Sequence, residues 1–599
     1  MSKTRTFEIH PYLMQPALQR PQLSPDLPLS RRLRVFSQDP SIARFDGAIC
    51  TLHIPNEALL PGPTGAWFVV EDRSENGTQL LSQVDLELPA WLMRDGLDPS
   101  TTDRRFACQM VYAVAMETYA EFTAALGRDP GFGPIPHEDG RLRILPFAFQ
   151  GANAYYWRET GSVNFGWDFA KEFAGWIAPG VDGGRSQVGG HVFLALSRDV
   201  IAHEISHAIL DGLRPNFMRP THPDIAALHE GFADLVAIFL HFSQKEVVQR
   251  ALQQSQGNVA TERLADLGRQ FGFDLLNGRN PLRTAIHLAE LDAPMISVEY
   301  RYDSNKDAHA LGSVLVSSVF EAFRRIYERK TSKLRRVFAS YQGSLSREAI
   351  ELLTSVACDL ARQLLHIVIR AIDYCPSHHC SFGEYLRALI TADRDLVPED
   401  PWGYRDALVS SFRRFGITVP DVLDLSEQAL LWCHPERALR IPALRFERLG
   451  LRCQDGLLHW PSEATKTRAA LALGAAISDA TRCEDYGLLP ADDKINPPRL
   501  MSLRTLRRVS PDGQINFDLV AEIVQKRKVR EGYFFGGSTL VISADGEVRY
   551  AIVKHVNSEK RLRAQRAWLK TQDAETQRAA WDEHSGVSAA LQKRMHRWH

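Results

Sequence analysis

The stretch "VIAHEISHAILDG", residues 200–212, sets two histidines four positions apart around a glutamate, inside an otherwise apolar run. An α-helix turns ~100° per residue, so positions four apart share a face about one turn apart. On such a helix His203 and His207 aim two imidazoles at a common point. Glu204, one residue on, projects beside that point rather than onto it. Two imidazoles with one focus are metal ligands by type, and a carboxylate beside them stands where a base acting on water at the metal must be.

A hydrolytic zinc site needs three protein ligands and one open position. Outward from the first motif, "HEGFADLVAIF" at 229–239 supplies Glu230 at the start of a second helical run, with Asp234 four residues on and on the same face. The spacing predicts one Zn²⁺ held by His203, His207 and Glu230. Asp234 then accepts the free N–H of a ligating imidazole and fixes its tautomer. The intervening "LRPNFMRPTHPD", with three prolines, is the turn that lets the two helices face each other. Five polar side chains on otherwise apolar helices would be costly to bury without a common partner. His191, His222 and His229 border these motifs, but their spacing gives none of them a ligand role, and pocket lining or plain structure serve equally well.

The rest of the chain bounds what such a site can belong to. At 599 residues, two to four domains are expected. An apolar share of 44% with 24% charged residues is that of a soluble globular protein. Lys and Arg (71) balance Asp and Glu (72), which removes the long-range field that nucleic-acid binders use, so no nucleic-acid role is expected. The amino-terminal "MSKTRTFEIHPYLMQPALQRP" lacks a signal-type apolar core, and no window reads as long enough to span a bilayer. A cytoplasmic location with no membrane partner follows as the expectation, and eight scattered cysteines fit reduced thiols better than a disulfide scaffold.

Texture along the sequence suggests five segments. Residues 1–95 are β-rich, with "GAICTLHI" and "GAWFVVED" broken by "PGPTG" and "SENG" turns. Residues 96–215 form a mixed α/β lobe. In it a helix at 101–127, with Thr or Asp as cap and Gly127 as stop, precedes the strands "LRILPFAF", "NAYYW" and "SVNFGW", a Gly-rich loop "PGVDGGRSQVGG" and the first metal helix. Residues 216–420 are mostly helical. Residues 421–557 read as a small accessory α+β domain ending in a hairpin around "SADGE", and 558–599 as a charged helical tail, solvated or docking. "YCPSHHC" at 374–380 offers four soft donors in too few positions for one tetrahedral ion, and reads better as a turn closing a helix.

With both motifs in hand, the chain resembles the thermolysin-like gluzincin metallopeptidases, whose signature is H-E-x-x-H followed by E-x-x-x-D. The likeness covers about residues 100–330 and includes the helix at 103–127, the edge strand "NAYYW", the strand "SVNFGW", a Gly-rich loop and "SRDVIAHEISH". It implies a two-lobed α+β core, a mixed α/β lobe followed by a helical one. It also implies that Asn153, Ala154 and Tyr155 bind a substrate backbone by β-addition. A downstream histidine, here best matched by His309, would stabilise the oxyanion, oriented by Asp303 or Asp307. One departure stands out: where that family places a tyrosine as second oxyanion donor, the nearest residue is Phe217, and losing one donor can cost ~10²-fold in rate.

These readings predict a cytoplasmic zinc endopeptidase acting on protein or peptide substrates, with Glu204 as general base, since no G-x-M-E-N exopeptidase motif is present. The alternative is a protease-shaped scaffold, latent or inactive, that binds a regulatory protein partner through its C-terminal domain. Phe217 favours the scaffold and an intact Glu204 the enzyme.

Overall fold

The computed structural model describes residues 7–11, 28–37, 40, 49–73, 83–169, 191–260, 266–267, 283–284, 286, 291, 293–339, 345–454, 457–509 and 514–583. The expected Gly-rich loop at 179–190 lies outside them. The fold is mixed α+β.

The first long helix, α1 (Arg104–Leu126), begins and ends where its sequence says it should. Asp103 accepts the Arg105 N–H at 2.9 Å, and Gly127 leaves the helix at φ +68°, in the region that favours glycine. Most of α1 is buried, because elements pack on several sides of it. The hairpin β2 (Ser30–Phe36) and β3 (Ile49–Pro55) covers one side. Next to it stands a five-stranded sheet. Here β4 (Phe68–Val70) and β5 (Leu142–Gln150) pair in parallel, as do β5 and β7 (Ser162–Phe169). Both β6 (Ala154–Trp157) and β8 (His191–Phe193) run antiparallel to β7, which leaves β6 on an edge.

The two metal-motif helices follow as α2 (Arg198–Leu213) and α3 (Pro223–Phe242), packed against each other and joined by a short 3-10 turn, Pro215–Met218. Beyond them α4 (Ala308–Ala339), α5 (Arg347–Ala371), α6 (Phe382–Leu396) and α7 (Tyr404–Arg414) build a helical layer. By length and composition two helical stretches, Pro223–Phe242 and Arg347–Tyr374, could cross a membrane, which corrects the expectation that no window is long enough. Both are packed inside this protein, 89% and 61% buried, as core helices are.

The C-terminal sheet is built from β9 (Arg499–Val509), β10 (Ile515–Val529), β11 (Gly532–Ile542) and β12 (Val548–Lys554) as an antiparallel meander, and the expected hairpin around "SADGE" joins β11 to β12. A fifth strand comes from the other end of the chain. β1 (Glu8–Ile9) pairs in parallel with β9, Glu8 opposite Arg499. Within residues 1–95, β1 joins the C-terminal sheet, β2–β3 covers α1 and β4 joins the N-terminal sheet.

One face of the C-terminal sheet, with Leu506, Val520, Val541 and Ile552, is continuous with the main core. The opposite face is covered by α8 (Glu463–Ile477). The helices α9 (Glu559–Leu569) and α10 (Ala574–Trp581) dock on β11 through Phe534, Leu562, Leu569 and Trp581. Arg504 on β9 donates to Gly212 O and Leu213 O at 2.8 and 2.7 Å, capping the last carbonyls of α2. The C-terminal sheet is thus fastened to the end of α2. All eight cysteines are free thiols.

Candidate metal centre

The helical repeat brings the two imidazoles together: Nε2 of His203 and Nε2 of His207 lie 2.9 Å apart. From α3, Glu230 straddles them, Oε2 at 3.4 Å from His203 Nε2 and Oε1 at 3.7 Å from His207 Nε2. The edges of a tetrahedron with bonds of ~2.0–2.1 Å are about 3.4 Å long, so these donors are spaced as ligands of one small cation are. His203, Glu204 and His207 also bring one donor each within 4.8 Å of one another.

The far nitrogens are held from behind. Asp234 Oδ1 lies 2.9 Å from His203 Nδ1, as the spacing of the second motif predicts. His207 Nδ1 lies 2.8 Å from Nδ1 of His229, a residue that the sequence pattern leaves without a role. A carboxylate accepts, so His203 Nδ1 donates to Asp234 and its Nε2 turns a lone pair inward, whereas in the His207–His229 contact one ring donates and the other accepts. The one signal that could have singled out His229 is its place immediately before Glu230, on the face of α3 that meets α2.

Burial is nearly complete: His203, Glu204, His207, His229, Glu230 and Asp234 are each at most 2% exposed. At Glu230 that burial works against ionisation, but the imidazoles of His309, His207 and His203 outweigh it and hold the carboxyl well below the usual carboxylate range. An anionic Glu230 facing paired imidazole nitrogens is a donor set that could hold a divalent metal ion.

Glu204 sits beside this focus and accepts the Tyr156 backbone N–H at 2.9 Å through Oε2. The edge strand β6 therefore lies alongside α2. Its main chain alternates: Tyr155 pairs towards β7, whereas Ala154 and Tyr156 face outward. Asn153 is engaged within the sheet, its N–H on Gly151 O and its C=O receiving Gly166 N–H. Of the three residues expected to bind a substrate backbone, Ala154 alone presents its main chain on the outer edge. Tyr155 instead stacks its ring on Phe149, centroids 5.4 Å apart.

His309 stands on the first turn of α4, its Nδ1 3.2 Å from Glu230 Oε2. At 15% it is the most exposed imidazole of the group. Asp307 caps α4, accepting Ala310 N–H at 2.9 Å, and Asp303 closes a turn onto Asn305. An aspartate just ahead of a helix is drawn to the free N–H groups there. Phe217 lies in the 3-10 turn between α2 and α3, fully buried and without a hydroxyl. Against known proteins, no family model matches the chain, and no curated protein matches it in sequence.

Proposed function

We propose that the chain is a zinc-dependent endopeptidase of the thermolysin-like gluzincin type, with a mixed α/β lobe and a helical lobe meeting at the metal helices. The observation that carries this reading is the convergence of two Nε2 atoms and one carboxylate on a common focus, with a second carboxylate beside it. His203, His207 and Glu230 would hold the ion, and Asp234 and His229 steady the two rings. Zinc there would polarise a scissile carbonyl and acidify the attacking water.

Glu204 takes the proton of that water and passes it to the leaving amine nitrogen. The Tyr156 amide keeps the Glu204 carboxylate in one orientation. A peptide lying along β6 has Ala154 as its main-chain anchor, since Tyr156 N–H is committed to Glu204. His309 supports the oxyanion, and its contact with Glu230 orients the ring.

Metal analysis beside casein cleavage, for the protein and its Glu204→Gln form, tests this. About one zinc per chain is expected in both, with cleavage falling ~10²- to 10⁴-fold in the variant. Stoichiometric zinc with the same null activity in both would leave the partner-binding scaffold, the reading favoured by the missing hydroxyl at Phe217. Absence of zinc would remove both.

A further inference from the structure

The first metal helix carries a second buried carboxylate on the face that meets β6. Asp211 stands seven residues, about two turns, beyond Glu204. One residue of the edge strand reaches both. The Tyr156 N–H donates to Glu204 Oε2 at 2.9 Å, and the Tyr156 phenol donates to Asp211 Oδ2, also at 2.9 Å. Arg158, next but one on the chain, brings Nε to 3.2 Å from the same Asp211 oxygen. Glu204, Tyr156 and Asp211 are wholly buried and Arg158 is 8% exposed.

We propose that Asp211 is a positioning residue for Glu204, acting through Tyr156 to fix where the edge strand lies on the metal helix. The proposal rests on the peptidase reading for its kinetic consequence only. β6 is four residues long and, among the described residues, paired on one side to β7, so its ladder by itself holds it weakly. The phenol–carboxylate bond adds a constraint from the other side, charge-assisted and dry. If the strand shifts, the amide leaves Glu204 and the base loses its orientation.

The loop before β5 is shaped around the same clamp. Gly133 N–H donates to Ala208 O at 3.0 Å, and a Cβ on Gly133 would lie 2.1 Å from Asp211 Oδ2 and 2.5 Å from the Tyr156 hydroxyl. Only glycine leaves that bond intact.

The test uses the full chain in three forms: Tyr156→Phe, Gly133→Ala and Asp211→Asn. Should Asp211→Asn fail to fold, the first two decide. For each folded variant, kcat per zinc-loaded molecule on a quenched fluorescent casein peptide should fall about 10- to 100-fold, the scale of a small misplacement of a reacting group. KM should stay within about twofold and zinc affinity within about threefold, because neither depends on the clamp. A purely structural ion pair would lower the melting temperature and leave kcat per loaded molecule unchanged, which overturns the proposal.

Hydrogen exchange over residues 153–158 gives an answer without activity. Exchange in Tyr156→Phe should quicken at least about tenfold relative to the helix at 104–126. If the native protein cleaves nothing, the peptidase reading fails and exchange still decides the clamp. Unchanged exchange overturns it.

Discussion

Two places in the chain crowd metal-binding side chains together, and the fold uses them in opposite ways. On α2 and α3, His203, His207 and Glu230 converge on one point. In the turn after α5, the denser "YCPSHHC" sets Cys375 beside Cys380 but turns its two histidines to other partners. Cys375 Sγ bonds to Ala371 O and Cys380 Sγ to Ser381 O. His378 Nε2 takes Phe535 O on β11 at 2.9 Å, and His379 packs edge-on against His222, centroids 4.8 Å apart. The difference lies in the backbone. A helix repeats one dihedral pair, so spacing fixes direction, whereas in a turn each residue points its own way, as His379 does from φ +51°. Ligand density in a sequence says little, and ligand spacing on a regular element says much.

The largest expected effect breaks the convergent side of the comparison. Glu230→Gln removes the charge and one of three donors from a buried focus. Zinc affinity should fall by at least about 10³-fold, measured by competition with a chelator, since a bound zinc ion's ~10–16 kcal/mol is shared among few ligands. Retained affinity would mean that the three side chains do not share an ion.

A subtler change sharpens it. His229 touches no proposed substrate and no metal, but it backs His207 at 2.8 Å. His229→Leu should weaken zinc binding about 10- to 100-fold. His229→Asn, which keeps a polar partner near Nδ1, should recover most of that. Equal losses in both variants would assign His229 to packing.

The same contrast explains how much could be read from sequence. The caps at Asp103 and Gly127, the two metal helices and the hairpin at "SADGE" are local patterns, and each appears where its residues predict. The strand Glu8–Ile9 is two residues long and pairs with residues about 490 positions away, so no periodicity announces it. Asp307 illustrates a local pattern of the same kind as the caps, since it stands at the start of α4 and accepts the Ala310 N–H there. The Tyr156–Asp211 clamp and the His207–His229 pair are long-range meetings of side chains. They become visible once α2, α3 and β6 are seen side by side.

The dispersed side of the comparison predicts a pH effect. Burial holds the His378 and His379 imidazoles well below the usual histidine range, and the charges of Arg561 and Lys554 press the same way. Both rings are neutral in the folded protein, whereas unfolding restores a pKa of about 6.5. The unfolded chain therefore binds more protons below that value. The stability contribution is complete above about pH 6.5 and is lost as pH falls, by up to about 1.4 kcal/mol per unit for each ring. Urea unfolding at pH 7.5 and 5.5 should show a steeper loss in the native protein than in His378→Asn/His379→Asn. Parallel slopes would mean that these rings are hydrated or protonated at neutral pH.

The smallest effect concerns the thiols. Cys375 and Cys380 are fully buried, and burial raises the Cys380 thiol well above the usual range, with Cys375 beside it adding to the shift. A thiol held protonated is a poor zinc ligand, because the thiolate is the form that binds. Cys375→Ala/Cys380→Ala should leave the zinc content at one per chain, with a stability cost of about 1 kcal/mol per site from the lost sulfur contacts. A drop in bound zinc would move the turn to the convergent side of the comparison. It would require the Cys380 thiol to ionise against its surroundings, and then ligand density rather than helical spacing would be the better guide to metal sites in this chain.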